Sequence, residues 1–258
     1  MIRHARRAQR LTRLVLHVSV GVAITYLILA PANAMGSNPA RPIQRVLVRW
    51  WMAGICRILN LRIRTEGEVC GEPVLLVANH ISWLDVPCLL ATVNAVCLSK
   101  SEVQAWPVVG ALAAHAGTLF IRRGEHTATG VADQMARSLQ GKLSVVFFPE
   151  GTSTDGETVR TFHPRLYHAA IQAQTRVQAV AIAYPHPAGV NPVAPYINDV
   201  KLLDHLWSVL AEPVVDVRLT FCEPVTATGD RRALAVRTRG QILEALNKMP
   251  AGCSSQSV

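Results

Sequence analysis

The chain has 258 residues, half of them hydrophobic and 17% charged, with a formal net charge of +9. That length holds one large α/β domain with a short appendage, and the apolar balance points to membrane contact. Six scattered cysteines (Cys56, Cys70, Cys88, Cys97, Cys222 and Cys253) form no C-x-x-C pair and no Cys/His metal spacing. They read as buried free thiols in a reducing compartment rather than as a disulfide framework or a metal motif.

A basic balance fits nucleic acid or an anionic lipid surface, and the placement of the charges separates the two. Arg3, Arg6, Arg7, Arg10 and Arg13 precede an uncharged apolar run at 14–30. As a helix this run is about 25 Å long, at the short end of what crosses a bilayer core, and its arginines belong on the cytoplasmic side. Ala32-Asn33-Ala34 has the A-x-A form of a cleavage site, so a removable signal peptide is the competing reading. Segment 41–60 argues for an anchor. Ile43, Leu47, Trp50, Gly54 and Ile58 share a helical stripe, Arg45, Arg49 and Arg57 lie off it, and Trp50-Trp51 suit the headgroup level. With the turn Gly36-Ser37-Asn38-Pro39 between the two segments, residues 1–60 read as a membrane-associated helical pair. The alternative for 41–60 is an ordinary helix packed on the domain.

From residue 61 the pattern alternates. Apolar or β-branched runs at 61–66, 74–78, 96–100, 117–122, 143–148, 177–184 and 214–221 read as strands, and 82–93, 127–139, 165–173, 200–210 and 231–248 as helices. Such alternation predicts an α/β fold in which a single mixed, largely parallel sheet is covered by helices. The catalytic domain is thus placed at 61–249, and 250–258 reads as a flexible polar tail.

Three segments carry chemistry. The first, Asn79-His80-Ile81-Ser82-Trp83-Leu84-Asp85, ends the buried strand at 74–78. An imidazole beside a carboxylate strips a proton from a hydroxyl, the carboxylate fixing tautomer and orientation. Five residues apart on one helix His80 and Asp85 point about 140° apart, so they meet only if His80 is in the loop and Asp85 in the first helical turn. Ser82-x-x-Asp85 also has capping-box form, and by itself the pair reads first as a helix cap with a loop histidine. The second segment, Gly117-Thr118-Leu119-Phe120-Ile121-Arg122-Arg123, ends in two planar donors suited to phosphate or carboxylate. The third sends an apolar strand into Phe148-Pro149-Glu150-Gly151-Thr152-Ser153, where a glutamate and a glycine let a polar ligand approach the backbone. Alone, these two read as a solvated strand end and a β-turn.

Together, in this order, the three resemble the motifs of the phospholipid/glycerol acyltransferase family, the group containing 1-acylglycerol-3-phosphate acyltransferases: N-H-x4-D, G-x-x-F-[IV]-x-R and F-P-E-G-T. The resemblance covers residues 60–190. Lys100, Pro107 and Gly110 also look like a family segment, and Val177–Ile182 resembles its fourth, looser motif with alanine in place of the usual proline. The resemblance implies His80 as general base on the acceptor hydroxyl and Asp85 as its orienting partner. It implies acceptor contacts from Arg123, Glu150 and Gly151, extended here to Thr152, Arg122 and Lys100. Acyl-CoA or acyl carrier protein is the implied co-substrate, with direct transfer, no acyl-enzyme, no cofactor and no metal. No G-x-S-x-G elbow is present. Many members that use lysophosphatidic acid follow F-P-E-G-T with arginine, and here Ser153 stands in that place. The continuation Thr152-Ser153-Thr154-Asp155-Gly156 is similar to relatives acylating other lysolipids, including lyso-ornithine lipid.

The expectation is therefore a membrane-bound O-acyltransferase at the cytoplasmic face of the inner membrane. Its acceptor is 1-acyl-sn-glycerol-3-phosphate, giving phosphatidate, or alternatively lyso-ornithine lipid or another lysophospholipid. The partners are a membrane lipid, the membrane surface and the acyl carrier, with no nucleic acid, because no aromatic-basic platform accompanies the charge. The remote alternative is a non-catalytic module binding anionic lipid.

Overall fold

The computed structural model describes residues 2–34, 42–71, 73–121, 128–187 and 189–248. It begins with helix α1 (Ile2–Ile24), which continues through a π-helical turn (Thr25–Leu29) into α2 (Ala30–Ala34). Next comes α3 (Pro42–Leu59). The sheet and its helices then follow in the order β1 (Leu61–Glu66), β2 (Val74–Ala78), α4 (Asp85–Thr92), β3 (Ala95–Lys100), α5 (Ser101–Gln104), α6 (Val109–His115) and β4 (Leu119–Ile121). The second half runs α7 (Ala128–Gln140), β5 (Ser144–Phe147), a 3-10 turn (Pro164–Tyr167), α8 (His168–Ala173), β6 (Arg176–Ala183), β7 (Pro185–His186), β8 (Gly189–Val190), α9 (Leu202–Val209), β9 (Val215–Phe221), β10 (Val225–Thr226) and α10 (Arg231–Asn247).

The main sheet has the order β1-β9-β6-β2-β5-β3-β4, with β10 added beside β6. Neighbours from β6 to β4 are parallel, while β9 runs antiparallel to β6 and takes β1 with it. β7 and β8 form a separate hairpin. This is the mixed, largely parallel sheet expected from the alternation. Strand β2 lies at its centre with every residue buried, which is why Val74-Leu75-Leu76-Val77-Ala78 is apolar throughout instead of alternating. Its side chains still divide by face. Leu75 and Val77 pack with Met135 and Leu139 of α7 and Ile242 of α10. Leu76 and Ala78 pack with Leu59 of α3, Leu89 of α4 and Val209 of α9. The core is thus two apolar layers, one on each side of the sheet.

The expected strands and helices of the domain are found within a residue or two, apart from the helix placed at 82–93, which begins at Asp85, the helix placed at 165–173, which starts as the 3-10 turn and becomes α8 only at His168, and the strand placed at 117–122, which spans Leu119–Ile121. Helices α5 and α6 were not expected, because Pro107 breaks a stretch too short to show an amphipathic period. The described cysteines Cys56, Cys70, Cys88, Cys97 and Cys222 are free thiols. Burial pushes Cys97 up to about 12, so it is an inert apolar side chain.

The N-terminal helices fasten to this body in a specific way. α1 and α3 meet where Trp51 stacks on His17 at 5.5 Å, each ring seated where the other helix has glycine, Gly21 against Trp51 and Gly54 against His17. Arg6, Arg7 and Arg10 donate to the carbonyl oxygens of Ala211, Trp207, Leu210, Glu212 and Pro213 around the end of α9. Arg49 and Arg45 of α3 donate to Ala91 O in α4 and Asn94 O just beyond its end. The basic side chains read from sequence as lying off the apolar stripe are thus partly spent on helix C-termini, where carbonyls lack intrahelical partners and the dipole favours cations.

Candidate active site

The site is assembled where β2 leaves the sheet. Asn79, buried at the strand end, continues the ladder with its side chain, donating to Ile182 O (2.9 Å) and accepting from Ile182 N (2.7 Å). The backbone can then turn out of the sheet without orphaning β6. His80 is therefore in the loop and Asp85 in the first turn of α4, the arrangement that lets the two meet. Their Nδ1–Oδ2 distance is 2.7 Å.

Asp85 is fully buried. Its Oδ2 also accepts from the backbone N–H of Ile81 (2.8 Å) and Ser82 (2.9 Å), and its Oδ1 accepts from the Tyr184 hydroxyl (2.6 Å). Burial, reinforced by Asp85, pushes the Tyr184 phenol far up, so Tyr184 is a hydroxyl donor throughout the working pH range. Half of the capping box forms, since Asp85 reaches back to Ser82 N–H. The other half does not, because Ser82 Oγ is buried without a hydrogen-bond partner among the described residues. With its Nδ1 facing the carboxylate, His80 takes the Nδ1–H tautomer, which leaves the Nε2 lone pair on the far side of the ring. The ring stacks on Phe148 at 4.1 Å, with 22% of the side chain exposed.

Strand β5 runs parallel to β2, so its exit lies beside His80. Both carboxylate oxygens of buried Glu150 are taken by backbone N–H groups, His80 N on Oε1 and Arg160 N on Oε2, each at 2.7 Å. Burial raises the Glu150 carboxyl, and those two donors oppose the shift. Gly151 has φ +69°, which lets the chain turn away at once. Thr154 donates from N (2.8 Å) and Oγ1 (3.2 Å) to His80 O. Ser153 Oγ donates to Tyr196 O, and Tyr196 N donates to Ile81 O at 2.9 Å. A cavity of about 580 Å³ opens between these loops, lined in part by Thr152, Ser153, Arg160, Tyr196 and, from the end of β3, Lys100.

Of the residues singled out from sequence, His80, Asp85, Glu150, Gly151 and Thr152 therefore lie around the neighbouring exits of β2 and β5, and Lys100 lines the cavity with Thr152. Arg122 and Arg123 lie outside the described residues. Sequence reasoning missed Tyr184, Phe148 as a stacking surface, and a brace behind the loop in which Trp83 Nε1 donates to His205 Nδ1 (3.0 Å). His205 Nε2–H then donates to Pro195 O (3.0 Å). Tyr184 is 99 residues from Asp85, and only the pairing of β6 with β2 brings them together.

Comparison with known proteins gives this arrangement its class. Residues 60–183 match the Acyltransferase family. A lyso-ornithine lipid O-acyltransferase of Pseudomonas aeruginosa is 39% identical over 238 residues, 92% of each chain. The chain belongs to this acyltransferase family and is an enzyme that acylates a lysolipid. A 1-acyl-sn-glycerol-3-phosphate acyltransferase of Neisseria meningitidis is 33% identical over 171 residues, 65% of this chain and 67% of that protein. The crystal structure of the 1-acyl-sn-glycerophosphate acyltransferase from Thermotoga maritima superposes with a TM-score of 0.63 at 18% identity, covering 96% of this chain and all of that one, a likeness of fold.

Proposed function

We propose that this enzyme moves a fatty acyl group from an acyl thioester to the free hydroxyl of a lyso-ornithine lipid. The observation that carries the chemistry is the His80–Asp85 pair, with Nδ1 held at 2.7 Å by a carboxylate that three further donors fix in place. His80 Nε2 takes the hydroxyl proton as the acceptor oxygen attacks the thioester carbonyl. The C–S bond then breaks and the imidazolium returns its proton to the leaving thiolate. The acceptor oxygen is itself the nucleophile, so no acyl-enzyme forms, and the scheme uses neither cofactor nor metal. Glu150 acts as a positioning residue, holding the backbone of the base against the loop after β5. Acyl-CoA and acyl carrier protein both present the required thioester.

The acceptor reading rests on two supports. The likeness to a lyso-ornithine lipid O-acyltransferase is greater in identity and extent than that to the 1-acyl-sn-glycerol-3-phosphate acyltransferase. In addition, the residue after Phe148–Thr152 is Ser153, whose hydroxyl is turned to Tyr196 O and cannot clamp a phosphate. These favour the amino-acid lipid over the phosphatidate reading that the sequence motifs put first. The enzyme associates with the membrane through α1 and α3, and we place the active site at the cytoplasmic face of the inner membrane, where acyl thioesters are available.

The test is an acceptor panel with the purified full chain and one acyl thioester, comparing lyso-ornithine lipid, lysophosphatidic acid and lysophosphatidylethanolamine. The highest kcat/KM is expected for lyso-ornithine lipid; a preference for lysophosphatidic acid restores the phosphatidate reading.

A further inference from the structure

The cavity whose walls bond the loop carrying His80 is lined by charges of both signs. Lys100 and Arg160 contribute positive charge, and Asp155 and Asp199 negative charge, so the described lining residues sum to zero. Both walls are hydrogen-bonded to the loop that carries His80: Thr154 to His80 O, and Tyr196 to Ile81 O. Ser153 ties the walls to each other through Tyr196 O and adds no charge. At about 580 Å³ the cavity lies within the roughly 300–1,000 Å³ range of small-ligand pockets. A group held there is thus fixed relative to the base by short, direct connections.

We propose that this cavity is the acceptor headgroup site and that it selects a zwitterion, with Asp155 and Asp199 receiving a terminal ammonium and Lys100 and Arg160 a carboxylate. The inference rests on the acceptor reading above and adds the residues that read the headgroup. A phosphomonoester brings up to two negative charges and no positive one, so it can pair with Lys100 and Arg160 but offers no cation to Asp155 and Asp199. An ornithine headgroup brings one ammonium and one carboxylate, opposite in sign to the acidic and the basic pair respectively. Asp155 is already oriented, since its Oδ1 accepts from Glu157 N at 3.0 Å, and an asparagine there keeps that bond while losing the charge.

The experiment compares lyso-ornithine lipid with its lyso-norvaline counterpart, which keeps the hydroxyl and the carboxylate but lacks the ammonium. The full-length enzyme is assayed as wild type, Asp155→Asn, Asp199→Asn and the double variant. Wild type is expected to prefer the ornithine acceptor by roughly tenfold or more in kcat/KM, largely through KM, since a charge-assisted bond is worth about one decade or more. The preference shrinks in each single variant, approaches one in the double variant, and is partly restored by Asp199→Glu. A wild-type ratio near one, or a ratio that survives in the double variant, overturns the ammonium site while leaving the acceptor assignment standing. Absence of any wild-type turnover of lyso-ornithine lipid overturns the acceptor assignment and the headgroup site with it.

Discussion

Asp85 accepts four hydrogen bonds in a fully buried position, and three of them have nothing to do with proton transfer. They make the carboxylate a fixed reference for the imidazole, which has one hydrogen-bonded orientation and one tautomer. Tyr184→Phe removes the hydroxyl donor on Oδ1 with little change of shape. The expected result is a loss of about 1–3 kcal/mol, because a buried acceptor is left unpaired. It is read as a lower melting temperature together with a fall in kcat at nearly constant KM. An unchanged kcat would show that Tyr184 does not position the pair. The pair was legible in the sequence only with help: spacing and the strand exit allowed His80 and Asp85 to meet, and the resemblance of the three ordered segments to the family's motifs chose that reading over a helix cap. Tyr184 was not legible, since its place depends on the alignment of β6 with β2. The motif flagged Glu150 as a residue of the site, while its two backbone partners, His80 and Arg160, were visible only in three dimensions.

At the scale of elements, the fold read well where burial enforces a pattern. β2 is apolar on both faces because both faces are covered, and the helices around it show the spacing expected of one-sided burial. It read poorly where the pattern is interrupted, as at α5 and α6 around Pro107, or where pairs are too short to leave a period, as in the β7–β8 hairpin and β10. The arginines of α1 and α3 gave a third kind of difficulty, since composition counts charge and not its partners. Arg10 is buried and donates to Leu210, Glu212 and Pro213, joining α1 to the turn between α9 and β9. Arg10→Ala is expected to cost about 1.5–3 kcal/mol, as for hydrogen bonds from charged groups. Amide hydrogen exchange should quicken at residues 210–213 and along α1 while the centre of the sheet keeps its protection. Unaltered exchange at 210–213 would mean that this clamp does not hold the helix.

For the whole molecule, the apolar excess in the composition is visible on the outside. Val15, Leu16, Val20, Leu27 and Ile28 of the N-terminal helix, Trp50 of α3, and Leu203 and Trp207 of α9 are exposed. The helical unit Ile2–Leu29 has a mean hydropathy of 1.7 over its most apolar window, of which 11% is buried. Exposed apolar surface of this extent on a lipid-modifying enzyme fits membrane association. Stability as a function of pH is also a property of the whole. Burial holds His205 below its ordinary value of 6.5, and as a neutral ring it accepts from Trp83 and donates to Pro195. The unfolded chain therefore takes the proton first as pH falls. The contribution of His205 is complete above pH 6.5 and is lost as pH drops through the lowered folded value. Melting temperature should decline as pH falls below about 6.5, and the decline should be shallower in His205→Gln; equal slopes would remove His205 as the cause.

The measurement that bears most directly on the account is acyl transfer by His80→Ala beside wild type, with far-ultraviolet circular dichroism and melting temperature recorded on both. The ring of His80 is partly exposed, and the backbone bonds from its N–H to Glu150 and to its carbonyl from Thr154 do not depend on the side chain. The fold should survive, while kcat/KM for transfer from an acyl thioester to lyso-ornithine lipid falls by about 10²–10⁴, the usual contribution of a general base. A folded His80→Ala enzyme that retains wild-type turnover would contradict the assignment of His80 as the base.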